Sequence, residues 1–173
     1  HRDLHSFPTR RSSDLEKYLS KNTKIEEIIK ELNTNNPFEA VLKYDIIVQY
    51  ENLGSIKGYF NVVTGDNGEK IKFIHLNENL EGREKEIIMA HELGHALLHE
   101  NEGNSILLDH SLISFGKLEN EANKFAIELL INNEELKNCL ECGYNKDQIA
   151  SYFGVPIDML EYKSFPDIEK CYY

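Results

Sequence analysis

His91, Glu92 and His95 form the pattern H-E-L-G-H inside a longer apolar run, I-I-M-A-H-E-L-G-H-A-L-L-H-E, residues 87–100. Histidines four residues apart project from one face of a helix, where both imidazoles can bind the same Zn²⁺ at about 2.0–2.1 Å. The glutamate between them can reach a water on that metal and take its proton. This spacing predicts a metal-dependent hydrolase site with His91 and His95 as ligands and Glu92 as general base.

His99 extends the same stripe by one more turn. It stands about 6 Å further along the helix axis than His95, so it cannot easily share a metal with His91 on a straight helix. We therefore predict that His99 is a surface residue. The alternatives are a structural role or a contact with one of the ligands.

A catalytic zinc site needs a third protein ligand and one open position. A third histidine six residues after His95 is excluded, because that residue is Asn101. The better source is E-N-E-A-N-K-F-A-I-E-L-L, residues 119–130. Glu119 and Glu121 are about 200° apart around a helix, so only one of them can face the metal. Periodicity alone does not choose between the two carboxylates.

The elements that position these residues follow from hydrophobic periodicity. Helical spacing predicts α-helices over about 80–100 and 117–131. Three β-branched and aromatic runs, at 46–50, 56–63 and 70–76, are separated by the turn sequences N-L-G and G-D-N-G. They predict a small antiparallel β-meander.

The tail of the chain is predicted to be helical. One short helix is expected over 134–142, and residues 145–162 have the helix, glycine turn and helix of a helix-turn-helix. The fold class is therefore α+β: a small antiparallel β-meander packed on a zincin-type helix pair, with short, helix-turn-helix-like C-terminal helices.

Composition narrows the class of protein further. The net charge of −11, from 19 basic and 30 acidic residues, argues against non-specific binding to nucleic acid or anionic membranes. The sequence has neither an apolar run long enough to span a membrane nor a secretory signal, so we expect a cytoplasmic protein. Three cysteines argue against a disulfide framework, and the pair Cys139 and Cys142 is expected to be ordinary helix residues.

The combination H-E-L-G-H-A-L-L-H and E-x-E-A-N-K-F-A-x-E-L-L resembles the ImmA/IrrE family of small zinc-dependent metallopeptidases. The upstream N-P-F-E-A and the I-H-L-N before the motif helix also match, so the resemblance covers roughly residues 36–162. It implies a gluzincin-like site with His91 and His95 as zinc ligands and Glu92 as base. It also implies that the third ligand is the glutamate directly before an alanine, Glu121.

Two parts of the site stay open at this point. Thermolysin-like enzymes carry an aspartate four residues after the third ligand, where this chain has Phe125, so the partner that orients either histidine is unassigned. An oxyanion-stabilising group is also needed, and Tyr59, His110 and Arg83 are candidates that the sequence does not separate.

We expect three segments along the chain. His5 to Leu15 matches the translation of a common sequencing adapter, so residues 1–15 are interpreted as non-native and disordered. Residues 16–132 are predicted to form the metallopeptidase core, and 133–173 a C-terminal helical segment of the same domain.

The predicted function is that of a zinc-dependent endopeptidase that uses a glutamate-activated water on Zn²⁺. The resemblance implies a helix-turn-helix transcriptional repressor of a phage or mobile element as substrate. We expect the substrate to lie as an extended strand beside the edge of the meander, which supplies backbone hydrogen bonds. We expect no direct nucleic-acid or membrane partner, and assign residues 145–162 to packing or partner docking. The alternatives are a non-catalytic, zinc-stabilised regulatory protein that binds a repressor or toxin, and a DNA-binding protein.

Overall fold

The computed structural model describes residues 22–100 and 112–165. The chain divides into two units, His1–Asn33 and Thr34–Tyr173. In the first unit residues 22–32 form helix α1, on which Ile25 and Leu32 are buried. The segment 1–15, interpreted above as adapter-derived, lies outside the described residues, as does Cys171.

The second unit holds the predicted strands and helices in the predicted order, which confirms an α+β fold. Its elements are α2 (Pro37–Val41), β1 (Ile46–Glu51), β2 (Gly58–Thr64), β3 (Lys70–Asn77), α3 (Gly82–Leu98), α4 (Leu112–Leu130), α5 (Asn133–Glu141), α6 (Lys146–Phe153) and a 3-10 helix (Ile157–Tyr162).

The three strands form a mixed sheet in the order β1-β3-β2, so the predicted all-antiparallel meander is wrong in one respect. β2 and β3 pair antiparallel, but β1 pairs with β3 in parallel. The reason lies in residues 52–57, which cross the end of β3 instead of closing a hairpin. Asn77 at that end donates its Nδ2 hydrogens to the carbonyl oxygens of Gly54 (3.0 Å) and Ile56 (2.8 Å) and so fixes the crossing.

One face of the sheet packs on α3. Phe60 of β2 and Ile74 of β3 are buried on this face, as is Met89 on the helix. Gly58 permits the contact, because a Cβ atom there would lie 2.8 Å from Cγ2 of Ile88. The edge strand β2 therefore runs directly beside the helix that carries the H-E-L-G-H pattern.

Helices α3 and α4 pack closely against each other at Gly94. A Cβ atom at this position would lie 3.2 Å from Cα of Ala122 and 3.2 Å from Cβ of Phe125. Ala122 and Phe125 are themselves fully buried. This close approach brings the acidic start of the 119–130 segment next to the histidines of α3.

The C-terminal helices pack on the end of α4 through a buried apolar cluster. Its members include Ile127, Ile131, Leu136, Cys139, Ile149, Phe153 and Leu160. Gly154 follows α6 in the left-handed region (φ 63°), which gives the predicted glycine turn, but the second helix is a 3-10 helix. Among the described residues, none of the helices is long and apolar enough to cross a membrane.

Candidate active site

The two histidines of the H-E-L-G-H pattern point their Nε2 atoms at the same place. These atoms are 3.1 Å apart, although the residues lie on successive turns of α3. The side chain of His95 is only 5% exposed and that of His91 only 16%, so water does not freely solvate either ring. Two convergent imidazole nitrogens, one on a buried ring and one on a partly buried ring, are the arrangement that the sequence spacing predicts.

Glu119 of α4 completes the group. One of its carboxylate oxygens lies 3.2 Å from Nε2 of His91, and the other lies 3.2 Å from Nε2 of His95. One donor atom from each of the three residues lies within 4.8 Å of the others. Glu119 was the alternative that periodicity left open.

Glu121 does not join this group. Its Oε2 lies 2.9 Å from Nε2 of His99, one helical turn beyond His95. The prediction of Glu121 as the third ligand therefore does not match the arrangement, in which Glu119 lies between the two histidines. The reason is the rotation of α4 about its own axis, which the packing of Ala122 on Gly94 sets.

Asn123 supplies an orienting partner that the sequence left unassigned. Its Oδ1 accepts a hydrogen bond from Nδ1 of His91 at 2.9 Å. An amide oxygen is only an acceptor, so the proton of neutral His91 lies on Nδ1 and the lone pair of Nε2 faces Glu119 and His95. Asn123 stands four residues after Glu119, where thermolysin-like enzymes carry their orienting aspartate.

His99 is buried, with 2% of its surface exposed, so the prediction of a surface position is wrong. Nδ1 of His99 lies 3.2 Å from Nδ1 of His95, and its Nε2 contacts Glu121. Of the alternatives stated above, the structure shows a contact with His95, one of the two predicted ligands.

Glu92 is buried beside the cluster and lines the same cleft. Burial raises the pKa of its carboxyl to about 7, with a further contribution from the charge of Glu119. The charge of His91 and a hydrogen bond from the backbone N–H of Phe60 oppose that rise in pKa. A carboxyl group near neutrality at this place can both accept and return a proton.

The charges of the three cluster residues depend on one another. Burial favours neutral His91, but the hydrogen bond to Glu119 and the charges of Glu92 and Glu119 outweigh it and raise the pKa of His91. Burial lowers the pKa of His95 despite its contact with Glu119. Burial also opposes ionisation of Glu119, but the protonated forms of His91 and His95, whose Nε2–H groups donate to its carboxylate, have the larger effect and lower its pKa.

These residues fit a divalent transition metal such as zinc. Ligand atoms at about 2.0–2.1 Å from a tetrahedral Zn²⁺ are roughly 3.3 Å apart. The separation of 3.1 Å between the two Nε2 atoms and the two separations of 3.2 Å to Glu119 are close to that value. Two neutral imidazoles and one carboxylate are also the ligand set of known catalytic zinc sites.

The cluster lies in a cleft of about 1670 Å³. The cleft is lined by the edge strand β2 and by the α3 residues Ile87, Ile88, His91, Glu92 and His95. It is also lined by α6 and the segment after it, including Val155 and Met159. The helix-turn-helix-like segment is thus part of the cleft that contains the cluster.

Comparison with known proteins identifies the kind of enzyme. Residues 42–165 match the peptidase family model described as the IrrE N-terminal-like domain. The chain is 34% identical over 142 residues to metallopeptidase ImmA of Bacillus subtilis (strain 168). The aligned region covers 81% of each of the two chains. It is 31% identical over 146 residues to uncharacterized immunity region protein 2 of Bacillus phage phi105, covering 84% of this chain and 89% of that one.

The chain belongs to the ImmA/IrrE family of metallopeptidases. The resemblance stated from its motifs is confirmed, and so is the assignment of the chain as a metal-dependent hydrolase of peptide bonds.

The candidates for oxyanion stabilisation in this metallopeptidase differ in their surroundings. Tyr59 lines the cleft. Arg83 donates to the carbonyl oxygens of Phe153 and Leu130 and to Glu86, so its guanidinium serves to hold the C-terminal helices. His110 lies outside the described residues. The ring of Tyr59 stacks on that of His75, its partner across β2 and β3, on the sheet face opposite to Phe60 and Ile74. The described residues therefore support neither Tyr59 nor Arg83 as the oxyanion-stabilising group.

The pair of cysteines in C-L-E-C lies away from the cluster, at the end of α5. Cys139 is buried in the C-terminal apolar cluster, whereas Cys142 is the exposed C-cap residue. Cys139 thus packs as a small apolar side chain, as predicted.

Proposed function

We propose that this chain is a zinc-dependent endopeptidase in which His91, His95 and Glu119 hold the metal and Glu92 is the general base. The observation that supports it most strongly is the convergence of two histidine Nε2 atoms and one carboxylate beside a buried glutamate, within a single cleft. The third ligand in this proposal is Glu119, in place of the Glu121 that the family resemblance implied.

Zinc is the metal that best suits this donor set. Two imidazoles and one carboxylate leave one position of a tetrahedral ion open, as catalytic zinc sites require. When bound, a zinc ion supplies a Lewis acid that polarises the scissile carbonyl group and makes water a better nucleophile at neutral pH.

Glu92 moves the proton. Its carboxylate, held by the backbone N–H of Phe60, accepts a proton from the attacking water and then gives it to the leaving amine. Both transfers need a group whose pKa is near the working pH. Because Phe60 belongs to β2, the strand that positions this base also lines the cleft.

The substrate binds as an extended segment along β2. β2 is an edge strand of the sheet that the described residues form, and it lines the cleft, so the substrate adds beside it through backbone hydrogen bonds. Such a segment would share the cleft with the apolar side chains of Val155, Met159 and Ile88. We infer that a large apolar side chain next to the scissile bond occupies this space.

The protein substrate that we propose is a helix-turn-helix repressor of a phage or mobile element. The family resemblance motivates it, and the relative from phage phi105 carries "immunity region" in its name, which is a statement about that protein. The net charge of −11 is consistent with a protein partner in preference to direct contact with nucleic acid.

The test is co-expression of the wild-type chain, or of Glu92→Gln, with any helix-turn-helix repressor found to be encoded next to its gene. The wild type should cleave the repressor, and Glu92→Gln should lower the rate by at least about 100-fold while binding zinc normally. Cleavage is followed by mass spectrometry of the repressor fragments, and zinc by elemental analysis.

Two outcomes would decide against this function. A wild-type protein that holds no near-stoichiometric zinc after removal of loose metal would contradict the metal site. Zinc binding and repressor binding without any cleavage would instead favour the non-catalytic regulatory alternative.

A further inference from the structure

We propose that Glu121 and His99 form a hydrogen-bonded chain that fixes the tautomer and orientation of His95, so that both are positioning residues for the metal. The inference rests on the proposed metal site. It concerns residues outside that site, since neither side chain belongs to the group of His91, His95 and Glu119.

The direction of each hydrogen bond in this chain follows from the donors and acceptors present. A carboxylate only accepts, so Nε2 of His99 donates its hydrogen to Oε2 of Glu121 at 2.9 Å. Neutral His99 then carries a lone pair on Nδ1. That atom is 3.2 Å from Nδ1 of His95, which must be the donor.

The consequence reaches the metal site. With its hydrogen on Nδ1, neutral His95 has its lone pair on Nε2, the atom that lies 3.2 Å from Glu119. The other tautomer would place an N–H on the metal side and would leave two lone pairs facing each other between His95 and His99. Glu121 therefore selects the form of His95 that can bind a metal.

Burial strengthens the preference of His95 for the tautomer with its hydrogen on Nδ1. The side chains of His95, His99 and Glu121 are only 5%, 1% and 15% exposed. Water has little access to replace a missing partner, and an unpaired buried polar group is costly. The ring of His95 is therefore held by this chain and not by solvent.

The two ligands are supported differently. His91 donates to the neutral amide of Asn123, whereas His95 is linked through a second imidazole to a carboxylate. Partners of this kind increase the basicity of a ligating histidine, and losing them commonly weakens metal binding by about 10–100-fold. A role limited to tying α3 to α4 would change the stability of the metal-free protein without this specific loss.

The experiment measures zinc affinity of the full chain by competition with a chromophoric chelator. The variants are His99→Phe, Glu121→Leu and the double variant, with His99→Gln as the conservative change. Glu134→Gln, on the exposed first turn of α5, is the control for loss of one carboxylate. Thermal unfolding of each metal-free protein is recorded separately, as the measure of a purely structural role.

His99→Phe and Glu121→Leu should each bind zinc about 10–100-fold more weakly, and the double variant should be no worse than the weaker single variant. His99→Gln should stay within a few-fold of the wild type, because its amide can accept from His95 and donate to Glu121. Glu134→Gln should bind like the wild type.

The inference is overturned if His99→Phe and Glu121→Leu bind zinc as tightly as the wild type while the metal-free proteins melt lower. It is also overturned if the losses of zinc affinity in the two single variants multiply in the double variant. Such a result would mean that His99 and Glu121 act independently and do not form a chain. A wild type that binds no zinc would refute the proposed function and this inference together, whereas tight wild-type binding with unaffected variants would refute only the chain. If His99→Phe does not fold, Glu121→Leu decides alone: a loss of zinc affinity of about 10–100-fold supports the chain, and an unchanged affinity overturns it.

Discussion

Gly94 and Ala122 lie so close together that a Cβ atom on Gly94 would be 3.2 Å from both the Cα atom and the carbonyl oxygen of Ala122. This contact sets the distance between the helix that carries the histidines and the helix that carries Glu119. Gly94→Val should therefore destabilise the protein by about 1–3 kcal/mol through overpacking. It should also weaken zinc binding, because α4 must move away from α3.

Gly116 offers a matched control on α4. It is also helical, but a Cβ atom there would meet nothing within 4 Å. Gly116→Ala should raise the free energy of unfolding by roughly 0.5–1 kcal/mol and leave zinc affinity unchanged. Urea unfolding of the metal-free proteins measures the first effect. Equal zinc affinity of Gly94→Val and the wild type would show that the contact does not position Glu119.

A comparison of Glu119→Gln with Glu121→Gln tests which glutamate is the ligand. Glu119→Gln removes the anionic donor that lies 3.2 Å from both Nε2 atoms, so zinc binding and peptidase activity should both be lost. Glu121→Gln keeps an oxygen that can accept from His99, so its zinc affinity should fall far less. Zinc content after dialysis distinguishes the two, and the opposite ranking would restore Glu121 as the ligand.

Asn123 provides a further test of ligand orientation. Asn123→Leu removes the acceptor that lies 2.9 Å from Nδ1 of His91, and zinc affinity should drop by about 10–100-fold. Asn123→Asp keeps an acceptor at the same place and should bind at least as tightly as the wild type. Competition with a chromophoric chelator measures both. Identical affinities for all three proteins would mean that Asn123 does not orient His91.

The parts of the site that the sequence could predict are those contained in one element. His91, Glu92 and His95 lie within a single helix, whose geometry alone places the two histidines on one face. The strands were predictable for the same reason, because period and turn residues are local. Glu119 could not be separated from Glu121, because the choice depends on how α4 is rotated against α3.

The features that the sequence did not predict depend on contacts between residues that are far apart in the chain. The parallel pairing of β1 with β3 depends on a crossing that Asn77 fixes from 21–23 residues away. His99 was predicted to be exposed because its partner, Glu121, lies on another helix. One signal was available: Asn123 stands one turn after Glu119, which is the spacing of a ligand and an orienting side chain on the same helix face.

Lys163, directly after the 3-10 helix, is buried beside the carboxylate of Glu128 on α4. Its side chain is 0% exposed, and Nζ lies 2.7 Å from Oε2 of Glu128 and 2.9 Å from the carbonyl oxygen of Ile131. Burial lowers the pKa of Lys163, although the charge of Glu128 opposes this. Lys163→Met leaves Glu128 buried without its counter-charge and should cost about 3–5 kcal/mol.

An exposed lysine pair on α5 is the control for this prediction. Lys137 lies 3.7 Å from Glu141 on the surface, and Lys137→Met should change the free energy of unfolding by no more than about 0.5 kcal/mol. The double variant Lys163→Met with Glu128→Leu should be more stable than Lys163→Met alone, because no unpaired charge is left. Denaturant unfolding of the four proteins gives the comparison, and a Lys163→Met variant as stable as Lys137→Met would contradict it.

Removal of the metal should destabilise the folded protein, because the proposed ligands come from both α3 and α4 and the ion links the two helices. Free zinc at 100 times its dissociation constant stabilises a protein by about 2.7 kcal/mol. For a chain of this size that corresponds to a rise in melting temperature of roughly 5–10 °C. The shift should be absent in Glu119→Gln and present in Glu92→Gln, since only the first loses a ligand. Differential scanning fluorimetry with and without a chelator measures it, and a wild type insensitive to both zinc and chelator would contradict the linkage.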